Sequence, residues 1–158
     1  MALMKRTEVK HYLKVDNEYH LIYSGVTALD DSRNPAVETE QYIMDSNASS
    51  SIDGYEPQWA ITMRVDPDDP VTALIREIGR SLKTGADAET SLVEFDAWEM
   101  DINQSVPAKE YRVAVAVDYI SNGEGGSKIE MSGTLHGQGD PVDGTFDIPT
   151  KTFTETVS

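Results

Sequence analysis

Residues 111–153 read YRVAVAVDYISNGEGGSKIEMSGTLHGQGDPVDGTFDIPTKTF, and this stretch decides the fold. Tyr111, Val113, Val115, Val117 and Tyr119 alternate with Arg112, Ala114, Ala116 and Asp118. A period of two marks a strand with one buried face, because successive side chains point to opposite sides of the pleat. Ile129, Met131, Gly133 and Leu135 repeat the alternation against Glu130, Ser132, Thr134 and His136, and Val142, Gly144, Phe146 and Ile148 repeat it again. Turn formers separate the runs at 121–127 and 137–141. Three alternating runs joined by turns predict an antiparallel meander that the rest of the chain must cover or extend.

Working outward, residues 8–14 and 19–23 alternate weakly around Asp16-Asn17-Glu18 and predict a hairpin, preceded by a loose arm at 1–7. Residues 24–58 are long, polar and rich in turn formers, with one short strand expected at 39–44. A structureless loop of that length is unusual in a compact domain. Tyr42, Ile43 and Tyr55 favour a projecting hairpin that orders against a partner, since disordered linkers rarely carry such residues. Trp59, Ile61, Met63 and Val65 share one face of a strand at 58–65.

Asp69 is a good N-cap and Pro70 suits the first helical position. Val71, Leu74, Ile75, Ile78 and Leu82 then form an apolar stripe, with a stop at Thr84-Gly85. Gly79 costs this helix up to ~1 kcal/mol relative to Ala. A strand at 91–100, a loop at 101–109 and a short last strand at 151–157 complete the chain. The expectation is a single mostly-β domain over 1–158. It is a sandwich or barrel of about eight or nine antiparallel strands, with one flanking helix and an arm at 24–58.

Charge and composition exclude several functions. The net charge is −15, from 28 acidic and 13 basic residues. Such a chain lacks the cations that grip phosphates and repels a polyanion instead. Without cysteine there is no disulfide or thiolate site. Residues 1–6 carry no long apolar run, and no stretch approaches the ~18 apolar residues of a membrane span. A soluble protein made in the cytoplasm, with no membrane anchor, is expected.

Catalytic constellations are weak. Asp66, Asp68 and Asp69 lack the spacing of a calcium loop and read as a turn with a helix cap. Residues 123–128 have the wrong order for a phosphate loop and precede a strand. His11, His20 and His136 show no metal spacing. Glu94 and Asp96 share one strand face, whereas a glycosidase pair opposes its carboxylates across a cleft. Trp59 and Trp98 raise a carbohydrate- or cell-surface-binding module as an alternative, although Trp59 belongs to an apolar face. No catalytic, cofactor or metal residues are assigned, and an enzyme is the weakest reading.

Asn34-Pro35, Tyr42-Ile43 and Gly54-Tyr55-x-Pro57 have a spacing that resembles the major tail tube proteins of long-tailed phages of Gram-positive hosts. The closing run of Ser132-Gly133-Thr134-Leu135, Gly139-Asp140, Val142, Gly144-Thr145 and Lys151-Thr152-Phe153-Thr154 is similar to their C-terminal part. The order of hairpin, long arm, strand, helix and meander matches over residues 10–155.

The resemblance implies a structural virion protein with no cofactor. It would assemble with itself into hexameric rings that stack into a tube, with neighbouring strands closing the sheet edges. It implies as partners the tape-measure protein inside the tube and the tail terminator and distal tail proteins at its ends. DNA passes through without specific binding. Asn34, Pro35, Tyr42, Ile43, Gly54, Tyr55 and Pro57 would form the inter-ring arm. Six copies at −15 each would put −90 on a ring. Glu94, Asp96, Asp118 and Glu130 are then candidates for acids facing the lumen. A related tube protein of a contractile tail or secretion apparatus is the neighbouring alternative.

Overall fold

The computed structural model describes residues 3–122 and 124–156. Ten strands and one α-helix run through them in the order β1 (Val9–Val15), β2 (Glu18–Leu21), β3 (Val26–Ser32), β4 (Pro35–Glu40), β5 (Ser49–Tyr55), β6 (Gln58–Arg64), α1 (Pro70–Arg80), β7 (Glu89–Asp96), β8 (Ser105–Ser121), β9 (Glu130–Asp147) and β10 (Thr152–Glu155). Eight strands make one antiparallel sheet, ordered β2-β1-β7-β8-β9-β6-β3 with β10 also on β9. Among the described residues β4 and β5 pair only with each other. The fold is mostly β with one flanking helix, as the alternation predicts.

The β1–β2 turn is Asp16-Asn17, at φ 50° and 66°, the left-handed pair that a two-residue hairpin needs. Residues 1–2 of the expected N-terminal arm lie outside the described residues, and Arg6–Glu8 form a 3-10 turn.

The expected meander is one long hairpin. β8 and β9 span 17 and 18 residues and pair from Ser105↔Asp147 to Ser121↔Glu130. The expected turn at 137–141 is a bulge inside β9, where the register steps from Glu110↔Val142 to Arg112↔Gln138. Gly139 sits there at φ 66°. A turn and a bulge both need left-handed backbone, so the same residues signal either. The loop expected at 101–109 is likewise half strand, with Val106 and Ala108 buried. Pro107 is tolerated because the β7 ladder ends at Lys109 and leaves this part of β8 paired on one side. A second bulge, between Val117 and Tyr119, inserts Asp118. It reverses the alternation, so Tyr119 is 61% exposed rather than buried, and Ile120 packs on the core.

Asp69 caps α1, its carboxylate accepting from the Thr72 N–H at 3.4 Å, and Pro70 is the first helical residue. Val71, Ile75 and Ile78 are buried, each worth roughly 1.5–3 kcal/mol relative to exposure. Leu82 is not part of the stripe. The helix ends at Arg80, and Leu82 lies beyond it at φ 52°, 83% exposed. Gly79 is explained by close approach, since a Cβ there would lie 2.9 Å from the Val117 side chain.

Two apolar clusters occupy opposite faces of the sheet. Adjacent residues separate cleanly between them: Leu13 from Tyr12 on β1, and Leu92 from Val93 on β7. The larger cluster includes Trp59, Ile61, Met63, Val113 and Leu135 and is closed by α1. The smaller is aromatic, with the Phe146 ring 4.6 Å from Tyr12, 5.5 Å from Phe95 and 5.9 Å from Tyr19. The strand expected at 91–100 stops at Asp96, and Ala97–Glu99 form a 3-10 turn.

Candidate assembly surfaces

The polar stretch at 24–58 divides in two. Its first part, β3, joins the main sheet on β6, with Leu29↔Ile61 in register and Leu29 buried. Its second part is the projecting hairpin. The strand expected at 39–44 forms instead at Pro35–Glu40, because Pro35 and Tyr55 start the pairing at the root.

Polar contacts fix that root. Arg33 donates to Asp31 at 2.6 Å and to the Tyr111 hydroxyl at 3.1 Å, and its guanidinium lies 3.6 Å from Glu94. Asn34, at φ 46°, donates through its side chain to the Glu56 carbonyl at 3.0 Å. The Glu56 N–H returns to the Arg33 carbonyl at 3.0 Å, and the Gly137 N–H donates to the Pro57 carbonyl at 2.8 Å. A depression of about 560 Å³ lies against this root, lined in part by Arg33, Tyr55, Tyr111 and Pro141.

The tip is uncovered. Ile43 is 99% exposed and Met44 89%, with Tyr42 beside them. A tight turn holds them there: the Asp45 N–H donates to the Tyr42 carbonyl at 3.0 Å and the Tyr42 N–H to the Asp45 carboxylate at 3.1 Å. Val37 and Ile52, in register across the hairpin, are also exposed. A lone two-stranded hairpin is marginal in water, and one with an apolar tip has a surface to cover. Of the proposed arm residues, Asn34, Pro35, Gly54, Tyr55 and Pro57 thus form the root, and Tyr42 and Ile43 the tip.

The four proposed lumen acids do not share one environment. Glu94 is half-buried beside Arg33, with one carboxylate oxygen lacking a hydrogen-bond partner among the described residues. Burial raises its pKa; Arg33 partly offsets this, and Asp31 and Asp96 add to it. Asp96 is half-buried opposite Val9. Glu130 is exposed and 3.3 Å from Arg64. Asp118 is exposed at the second bulge of the long hairpin.

His11 falls with Val9 and Leu13 on one face of β1, and no metal or catalytic spacing marks it. It is buried on β1 opposite Glu94, and neither ring nitrogen has a partner among the described residues. Burial, then Arg6 and Arg33, lower its pKa to about 4. The Tyr19 hydroxyl donates to Glu110, and burial followed by that bond raises the phenol's pKa. No group of three or more His, Cys, Asp or Glu side chains is gathered among the described residues. Trp59 is fully buried, which removes it from any sugar-stacking surface.

No family model matches the chain, and no curated protein matches it. Solved structures do. The SPP1 tail tube superposes with TM-score 0.66 over 89% of this chain and 78% of its own, at 10% identity. The chain has a tail-tube fold. The tail of an empty GTA particle with C6 symmetry follows at TM-score 0.60, covering 96% of this chain and 99% of that one at 9% identity. The six-fold symmetrised baseplate of the anti-feeding prophage contains a chain that matches at TM-score 0.50, with 90% and 97% covered and 10% identity. At these identities the likeness is one of fold.

Proposed function

We propose that this chain is the repeating structural subunit of a phage tail tube, without enzymatic activity. The observation that carries the reading is the near-complete overlap with chains from assembled tails, 78% and 99% of whose lengths are covered. Six copies form a ring, rings stack, and the β4–β5 hairpin reaches from one ring to the next. The tube encloses the tape-measure protein, meets the tail terminator and distal tail proteins at its ends and conducts DNA. The finished protein resides in the virion tail after synthesis in the host cytoplasm. The sequence motifs favour a long-tailed phage of a Gram-positive host.

Physical features support this. The hairpin exposes apolar side chains that nothing in the monomer covers. β2, β3 and β10 each pair on one side only among the described residues, leaving edges that a neighbour would satisfy. The net charge of −15 suits a wall along which a polyanion slides. The weaker likeness to a baseplate chain favours a second reading, the tube of a contractile tail or secretion apparatus.

Electron microscopy of the purified protein at rising concentration tests the proposal. Six-fold rings and stacked tubes are expected. A monodisperse monomer that never assembles, even with tail partners present, would overturn it.

A further inference from the structure

The tube reading leaves open which surface of a neighbour receives the hairpin. Between Asn34 and Met63 the chain has no Lys or Arg, and the hairpin carries Glu38, Glu40, Asp45 and Asp53 around its apolar tip. A second copy's hairpin repels it, so the receiving surface must be different and cationic. The contact is then head-to-tail rather than self-complementary, the geometry that propagates a stack.

Such a surface exists at the end of α1. Arg76 and Arg80 lie one turn apart on the helix and Lys83 follows it. None of the three is in an ion pair among the described residues, a state they share with Lys5, Arg6, Lys10, Lys14, Lys128 and Lys151. The Nε of Arg76 is buried with no hydrogen-bond partner among the described residues. A depression of about 340 Å³ lies between these arginines, Val65 and Pro67. The one acid on its wall, Glu77, accepts from the Ser81 hydroxyl at 2.8 Å. Leu82, 83% exposed in left-handed backbone, stands beside the cations as an uncovered apolar knob.

We infer that the β4–β5 hairpin of one copy docks on the Arg76-Arg80-Lys83 surface of another, its acids meeting the cations and its Ile43-Met44 tip covering Leu82. This rests on the tube reading and names the hairpin's partner. The pairing joins an acidic, apolar-tipped projection to a cationic surface with an apolar knob, both exposed in the single chain.

The absence of cysteine makes the test specific. Full-length Ile43→Cys/Leu82→Cys protein is oxidised under assembly conditions, run on a non-reducing gel and imaged in parallel. A disulfide-linked ladder of copies is expected. Adding Arg80→Glu and Lys83→Glu should lower the cross-linked fraction about tenfold, and Glu38→Lys with Glu40→Lys should restore it. Tubes without a ladder would overturn the docking and leave the tube reading intact. Neither tubes nor a ladder would remove both. A ladder unaffected by charge reversal would overturn the electrostatic basis of the docking.

Discussion

Replacing His11 by Leu should make the protein less sensitive to acid. The imidazole is buried, and its pKa falls from 6.5 to about 4 because burial and the nearby Arg6 and Arg33 disfavour its charged form. The unfolded chain takes up a proton near pH 6.5 while the folded chain refuses it until about pH 4. Stability from this group is therefore complete above pH 6.5 and is lost as pH falls through that window. At 1.36 kcal/mol per pH unit the full loss is about 3 kcal/mol, and about 2 kcal/mol of it occurs between pH 7 and pH 5. Glu94, facing His11, acts in the opposite sense. Its raised pKa means that protonation favours the folded state as pH falls, so the wild-type slope is a difference of the two. Comparing variant with wild type isolates the histidine. Urea unfolding at pH 7 and pH 5, below the assembly concentration, should show His11→Leu losing about 2 kcal/mol less than wild type. At pH 7 the variant should be at least as stable, since removing an unpartnered buried polar group relieves a cost of about 1–3 kcal/mol. Equal losses for the two proteins, or a strongly destabilised variant at pH 7, would refute the reasoning.

Gly79→Ala should lower the thermal midpoint. The gain of about 1 kcal/mol in helix propensity is outweighed by overpacking of about 1–3 kcal/mol against Val117, and adding Val117→Ala should recover part of the loss. Phe146→Ala, at the centre of the aromatic cluster, should cost about 3–5 kcal/mol in denaturant unfolding. Asp69→Ala should cost about 1 kcal/mol in the same assay through loss of the helix cap.

The legible parts of the fold were those where local chemistry has one solution. Asp69-Pro70 can hardly be anything but a helix start, and Trp59, Ile61 and Met63 hold an unbroken alternation that becomes β6. The alternation predicts three strands where one long hairpin forms, because Gly137–Pro141 signals left-handed backbone without saying whether the chain reverses there or bulges. Only the partner strand decides, and that is non-local information. Tyr119 departs from its expected face for the same reason, since one inserted residue reverses every face beyond it. β3 was hidden because Thr27, Ala28, Asp30, Asp31 and Ser32 are exposed and only Leu29 among its middle residues is buried. In the hairpin, the residue types at root and tip were visible, but Arg33 as the anchor was not. Its partners Asp31, Tyr111 and Glu94 come together only when β3, β8 and β7 are in place.

That anchor bears on how a projecting arm can serve assembly. An arm free to swing would lose its orientational entropy on every docking event, and a stack repeats that cost at each subunit. Here Arg33 ties the root to β8 and β7, and the Pro57 carbonyl ties it to β9. The root is therefore held by several contacts while the tip, from Gln41 to Asn47, presents its side chains to solvent. Arg33 spends its charge on Asp31 and Glu94, both near the root, so it does not neutralise the hairpin's acids farther out. The hairpin thus leaves the domain from a tied root and carries acids that no Lys or Arg of its own neutralises. A docking partner needs both, and the cations at the end of α1 supply the complementary charge.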